Sequence, residues 1–301
     1  MPRYTRLNMT ILYRYFPLDQ NDDQHFERLI SVLSGRIFFS SPHFFNDPFE
    51  MTPIFGIPSD SEYEQIFRKN LIPTEGLSKS QKNKITNNIN LKLMSSKNRT
   101  LDEGWVKELG VLCLSEDHKN ILMWSHYGKN HSGVCLGFNS EYLPFSSSKP
   151  VIYNEDRPQV PIEPSGIDDC DLIKATLLTK SPHWAYEKEW RCIKRPVRES
   201  EKNFYRTEME SNPARINEIA DLLASEGGSG VYEFDTSAIR RVIFGVKTTE
   251  KIKQRLIAEI VRRNLSPKIS SLILDNRRFT LNEVRIKAKD IHKLAGRPIN
   301  E

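Results

Sequence analysis

The stretch Ile11-Leu-Tyr-Arg-Tyr-Phe16 alternates in polarity and is rich in aromatic residues, the pattern of a β-strand, and Pro17 removes the donor needed to extend it. Immediately downstream, Asp22 or Asp23 can cap a helix on which Phe26, Leu29, Ile30 and Leu33 recur at helical spacing until Gly35 stops it. Arg36-Ile-Phe-Phe-Ser-Ser41 then returns to strand character and closes at Pro42. A chain that opens strand, short helix, strand is laying down a sheet with helices packed on it.

Working outward, strand-like runs recur at Val111–Ser115, Gly133–Phe138, Val151–Tyr153, Glu189–Lys194, Val231–Phe234, Val242–Gly245, Ile269–Leu274 and Phe279–Ile286. Helical patterns cover Lys119–Tyr127, Asp168–Thr179, residues 200–228 and Thr249–Asn264. Strands outnumber long helices and hairpin-like spacings repeat, so the predicted class is α+β: a mixed, mostly antiparallel central sheet with flanking helices. Pro42-His-Phe-Phe-Asn-Asp-Pro-Phe-Glu50 reads as a structured turn anchored to the core by Phe44, Phe45 and Phe49. Residues 60–109, polar and rich in Lys and Asn, read as a helical insertion or cap within a single domain spanning 1–301.

With 301 residues, 38% hydrophobic and 10% aromatic, the chain can bury a sizeable core. It contains no run approaching the roughly 18–20 apolar residues of a membrane span. The opening residues carry no apolar signal segment, so the expected compartment is the cytoplasm, with no membrane partner. Cys113, Cys135, Cys170 and Cys192 are widely spaced and form no CxxC pair, which predicts reduced thiols. A net charge of +5 permits weak attraction to nucleic acid without diagnosing it.

Two segments concentrate chemistry. Leu122-Met-Trp-Ser-His-Tyr-Gly128 brings Trp124, His126 and Tyr127 together, with His131 shortly after; the imidazole of His126 can act as acid, base or donor. Trp184-Ala-Tyr-Glu-Lys-Glu-Trp-Arg191 holds Glu187 and Glu189 two apart, so in a strand both carboxylates face the same way, surrounded by Trp184, Trp190 and Arg191. The bland alternatives are a solvated face on which these glutamates pair with Lys188, Arg191 or Lys194, and a core role for Trp124 and Tyr127. Arg14, between Tyr13 and Tyr15, is either an exposed strand charge or a fork for phosphate or carboxylate. A zinc site at His126 and His131 lacks further ligands at usual spacing, and no P-loop, GxGxxG, GxSxG or HExxH motif occurs.

Four blocks in order, Leu12–Tyr15, Phe39–Glu50, Met123–Tyr127 with Gly133–Phe138, and Trp184–Arg191, resemble the bacterial family known as domain of unknown function 2971. A more distant resemblance, to ADP-ribosyltransferases of the Arg–Ser–Glu type, implies that the chain uses NAD to modify a protein or nucleic-acid acceptor. In that reading Arg14 holds the NAD phosphates and Ser40 or Ser41 orients the nicotinamide ribose. Glu189 stabilises the oxocarbenium-like transition state, and Glu187 places the acceptor. Tyr13, Trp124 or Tyr127 stacks on a ring, His126 assists, and Asn46, Asp47, Glu50, His131, Lys180, Trp184, Trp190 and Arg191 shape the site.

The same reading suits a phage-defence or toxin component restrained by an antitoxin partner. It requires Glu187 and Glu189 to share a cleft with Arg14, Ser40 and His126. Two readings compete. A metal-dependent nuclease would gather a divalent ion on Asp47, Glu50, Glu187 and Glu189. A non-catalytic nucleotide- or ligand-binding module would use the aromatic clusters as a cage.

Overall fold

The computed structural model describes residues 10–19, 23–56, 78–81, 83–84, 103–161, 169–197, 199, 202–203, 206–207 and 225–295. In chain order the elements are β1 (Ile11–Phe16), α1 (Asp23–Leu33), β2 (Arg36–Phe39), β3 (Ile54–Gly56), α2 (Glu103–Glu108), β4 (Gly110–Ser115), α3 (Ile121–His126), β5 (Val134–Asn139), β6 (Lys149–Pro150), β7 (Ile152–Tyr153) and β8 (Gln159–Pro161). There follow α4 (Asp169–Leu177), β9 (Thr179–Lys180), β10 (Glu189–Lys194), β11 (Gly230–Glu233), β12 (Ile239–Phe244), α5 (Glu250–Arg262), β13 (Lys268–Leu274), β14 (Leu281–Arg285) and α6 (Ala288–Ala295). Most of the expected 60–109 insertion and of the expected 200–228 helix lies outside the described residues.

The chain divides into two compact units. The first, residues 1–41, 107–150 and 185–301, is built on an eight-stranded sheet in the order β14-β13-β12-β5-β1-β4-β10-β6. Neighbouring strands are antiparallel except β12 and β13, whose parallel pairing α5 bridges as a crossover helix. The architecture is the α+β, mixed and mostly antiparallel sheet that the strand pattern implied.

Strand alternation gives this sheet two distinct faces. On one, Leu12, Phe16, Leu112, Leu114, Leu136, Phe138 and Val242 pack under α1 and α5. Those helices supply Phe26, Leu29, Val32 and Leu33, and Ile252, Leu256, Ile257 and Ile260. Thr249 caps α5, its hydroxyl accepting from the Ile252 amide at 3.4 Å. On the other face Tyr13, Tyr15, Cys135, Ile243, Leu272 and Leu281 pack with Trp124 and Met123 of α3. The first is called here the helix face and the second the aromatic face. Strand β2 pairs with β11 and touches the main sheet through the Ser40–Val111 bridge.

The second unit, residues 42–106 and 151–184, contains the parallel pairs β3–β8 and β7–β9 together with α4. Its 42–50 turn departs from expectation, because Phe44 and Phe49 are 78% and 64% exposed rather than anchored in a core. The turn closes on its own polar groups: Asp47 accepts from the Phe49 amide at 2.9 Å, and the Glu50 amide donates to the Asp47 carbonyl at 3.2 Å. That winding projects the rings outward and buries the acids instead.

Among the described residues no helix is long and apolar enough to cross a membrane. Cys113, Cys135 and Cys192 form no disulfide among the described residues, and burial drives the Cys192 pKa up to about 12.

Candidate functional site

The two aromatic segments singled out in the sequence meet on the first unit. Asn120 caps α3 by accepting from the Leu122 and Met123 amides at 2.9 and 3.2 Å, and its side-chain amide donates to the Tyr186 carbonyl at 3.1 Å. One residue therefore fixes the helix start and ties it to the second segment. Trp124 is fully buried, donates from its indole to the His118 carbonyl at 2.8 Å and meets the Tyr15 ring edge-on at 5.1 Å. Tyr127 donates to Glu187 Oε1 at 2.7 Å, while the exposed His126 ring lies 6.3 Å from Tyr127 and 6.4 Å from Tyr186.

Glu187 and Glu189 do not belong to one strand, which corrects the period-2 argument. Glu187 ends a 3-10 helix spanning Pro182–Glu187, Lys188 takes a left-handed φ of 44°, and only then does β10 begin. The Ser115 hydroxyl donates to the Glu187 carbonyl at 2.6 Å and secures this break. Period-2 spacing instead relates Glu189 to Arg191: both are buried, and the guanidinium grips the carboxylate with two bonds of 2.8 and 2.9 Å. A carboxylate already neutralised by a bidentate arginine is poorly placed to stabilise a developing cation. Trp190 points to the opposite face and donates from its indole to Glu116 Oε1 at 2.7 Å.

Strand register decides where Arg14 stands relative to these acids. Tyr13 is opposite Ser115, and Ser115 is opposite Glu189, so Tyr13 and Glu189 share the aromatic face. Arg14 alternates with Tyr13 and is opposite Leu136, which puts it on the helix face. Arg14 and Glu189 are thus on opposite sides of the sheet, and the Arg–Ser–Glu constellation is not assembled around one cleft. Ser40 forms the bridge to Val111 and donates weakly to the Ser41 carbonyl at 3.4 Å; Ser41 is buried.

Arg14 opens instead into a cavity of about 420 Å³ shared with His25, Arg28, Ser31, Arg36 and Phe38. Its guanidinium donates to the Phe38 carbonyl at 3.2 Å and lies 5.6 Å from the Phe16 ring centroid, and burial pulls its pKa down. Among the described residues it has no carboxylate partner, and no acidic residue lines the cavity. Glu233 stands opposite Arg36 on the β2–β11 ladder yet makes no ion pair with it.

Several residues expected to shape the site belong to the second unit. Asn46 is exposed and Asp47 buried. Glu50 and Lys180 form an ion pair of 3.6 Å with both side chains 3% exposed, and the Lys180 ammonium lies 4.7 Å from the Trp184 ring centroid. Among the described residues no group of three or more His, Cys, Asp or Glu side chains is arranged to hold a metal ion. His131 stacks on Trp124 at 6.5 Å, with Nε2 3.2 Å from the Ser125 hydroxyl.

Sequence reasoning missed a polar cluster on the aromatic face. His118 Nε2 is 2.8 Å from Glu283 Oε2, Ser270 donates to Glu283 Oε1 at 2.6 Å, and Arg241 bonds both Glu283 and, at 2.9 Å, the Tyr13 hydroxyl. Gly137 lies between Tyr13 and Arg241, and any Cβ there would meet Tyr13 at 3.0 Å and Arg241 at 3.1 Å. Burial opposes the Glu283 charge, but the bonds from Ser270, His118 and Arg241 prevail and hold its pKa at about 2. Burial lowers the His118 pKa against the pull of Glu283. These side chains come from separate segments, so no local motif announces them.

Residues 123–192 match the family model described as Protein of unknown function (DUF2971), and the matched stretch carries Trp124, His126, Tyr127, Glu187, Glu189 and Arg191. The match supports the resemblance to that family; the resemblance to ADP-ribosyltransferases gains no support from it. No curated protein and no solved structure matches the chain.

Proposed function

We propose that the protein is a ligand-binding module whose Arg14 cavity takes a phosphate group of a nucleotide-class small molecule, NAD or a mononucleotide. One observation carries the reading: a partly buried guanidinium that opens into a cavity and has no carboxylate partner among the described residues. Holding a partly desolvated charge without a counter-ion carries a free-energy cost, and an anionic ligand relieves it. Arginine suits this role because its planar fork matches two phosphate oxygens.

The surroundings support the same chemistry. Arg28 and Arg36 line the cavity from exposed positions, so they steer an anion toward Arg14 without a desolvation penalty of their own. Phe38 is 50% exposed and offers a ring face on which a base or nicotinamide can stack. The volume of about 420 Å³ suits a small molecule. ADP-ribosyl transfer would need Glu189 beside the ligand ribose, and the register argues against that, so the reading is binding without transfer.

Isothermal titration of the intact chain with AMP, ADP, NAD, adenosine and inorganic phosphate, in phosphate-free buffer, tests it. At least one phosphate-bearing probe should bind and adenosine should not. Affinity should fall with added salt, and Arg14→Met should weaken binding by about 30-fold or more. The double variant Arg28→Ser/Arg36→Ser, altered only at exposed positions, should weaken it by a smaller factor. The proposal is lost if no phosphate-bearing probe binds at millimolar concentration, or if both variants bind as the parent does. Release of nicotinamide from NAD, abolished by Glu189→Gln, would instead restore the transferase reading.

A further inference from the structure

We infer that a second cavity, between the β13–β14 hairpin and α3, binds an amphipathic anion: an apolar chain or ring that ends in a carboxylate or phosphate. The cavity measures about 590 Å³ and shares no lining residue with the one at Arg14. Its walls include Ile121, Leu122, Leu274 and Phe279, which are 44%, 44%, 66% and fully exposed. Four large apolar side chains converging on one open concavity is an arrangement that water alone does not favour.

The rim supplies the opposite character. Arg277 and Arg278 sit at the hairpin tip with no carboxylate partner among the described residues. The one acid in the lining, Asp275, is already spent on the turn. It accepts from the Arg277 and Arg278 amides and from the Asn282 side chain, each at 2.8 Å, and these bonds hold its pKa down. Asp275 therefore orders the tip, and its single negative charge against the two guanidiniums leaves the rim net positive.

The wall facing the hairpin includes His131, whose backbone takes a left-handed φ of 72°. Its amide donates to the Trp124 carbonyl at 3.1 Å, and its carbonyl accepts from the Lys247 amide at 2.9 Å. Gly245 packs so closely that a Cβ there would lie 2.2 Å from the His131 carbonyl oxygen. A non-glycine residue held this way is a strained feature maintained by its surroundings. His131 Nδ1 is buried and has no hydrogen-bond partner among the described residues. Burial and the Lys247 charge both pull the pKa of the ring down. Apolar walls exclude a fully hydrated ion, and the cationic rim favours an anion, so a ligand with both parts satisfies the site.

Displacement of 8-anilinonaphthalene-1-sulfonate from the intact chain provides the test, with octanoate, octylamine and octan-1-ol as competitors. Octanoate should displace the dye, octylamine should not, and octan-1-ol should do so less effectively. Arg277→Glu/Arg278→Glu should weaken octanoate by about tenfold or more, and Phe279→Ser by several-fold. All three side chains are exposed, and far-ultraviolet circular dichroism checks that both variants fold. The proposal is overturned if octanoate and octylamine compete equally, if octanoate does not compete at millimolar concentration, or if both variants bind octanoate as the parent does.

Discussion

The two faces of the eight-stranded sheet treat charge in opposite ways. On the aromatic face three acids each have partners: Glu189 is clasped by Arg191, Glu187 accepts from Tyr127, and Glu283 gathers Ser270, His118 and Arg241. On the helix face Arg14 has a carbonyl and an aromatic ring, but no carboxylate among the described residues. A satisfied network rigidifies a structure, whereas a charge without a counter-ion in a cavity is a candidate anion receptor. The contrast separates charges that hold the fold from a charge that receives a partner.

The strongest way to break this comparison is to disrupt the Glu189–Arg191 pair. Glu189→Gln removes the carboxylate that grips the buried Arg191 guanidinium with two bonds and should cost about 3–5 kcal/mol in urea denaturation. The double variant Glu189→Met/Arg191→Leu should cost less than the single one, because it removes both desolvated charges. Equal costs would show that the pair is not acting as a charge-compensated unit.

The Glu283 cluster predicts a pH effect of intermediate size. Its carboxyl pKa is depressed from 4.5 to about 2 in the folded chain, so the stabilisation is present above the unfolded pKa and is lost as pH falls from about 4.5 toward 2. Allowing for partial exposure, the contribution is on the order of 2 kcal/mol. Glu283→Gln should flatten the acid limb of a stability–pH profile across that window. An unchanged acid limb would remove the cluster from the list of charges that hold the aromatic face.

Much of the fold is legible because its signals are local. The alternation of Ile11–Phe16 fixes β1, the Thr249 cap and the spacing of Ile252, Leu256 and Ile260 fix α5, and Glu189–Lys194 is a strand as read. The meeting of Tyr127 with Glu187 is foreshadowed by the unusual density of aromatic and charged residues in both segments. Other features depend on information absent from any window. Glu-Lys-Glu looks continuous, yet Lys188 turns left-handed, a choice enforced by the Ser115 bond to the Glu187 carbonyl. Alternation shows that Arg14 faces away from Tyr13, but placing Glu189 with Tyr13 requires the register through Ser115, two strand pairings away. The Arg28 and Arg36 contributions to the cavity are equally tertiary, because each alone is an ordinary exposed arginine.

A smaller effect sharpens the aromatic side of the comparison. Tyr127→Phe removes one phenol bond to a buried carboxylate and should cost about 1.5–2 kcal/mol, measured by chemical denaturation. It keeps the ring, so packing changes little. A negligible cost would mean that the remaining contacts of Glu187 already satisfy it.

The smallest expected change in stability is the most informative. Arg14→Met replaces a partly buried guanidinium that has no carboxylate partner among the described residues with an apolar chain of similar reach, and removal of such a charge is often neutral or stabilising. In phosphate-free buffer the variant should therefore unfold within about 1 kcal/mol of the parent, or above it. The same substitution should erase the stabilisation that a phosphate-bearing ligand gives the parent, because mass action acts only on a state that binds. A large loss of stability without ligand would mean that Arg14, like Arg191, is part of the scaffold, and the distinction between the two faces would dissolve. Near-equal stability with loss of the ligand effect would leave Arg14 as a residue retained for what it binds.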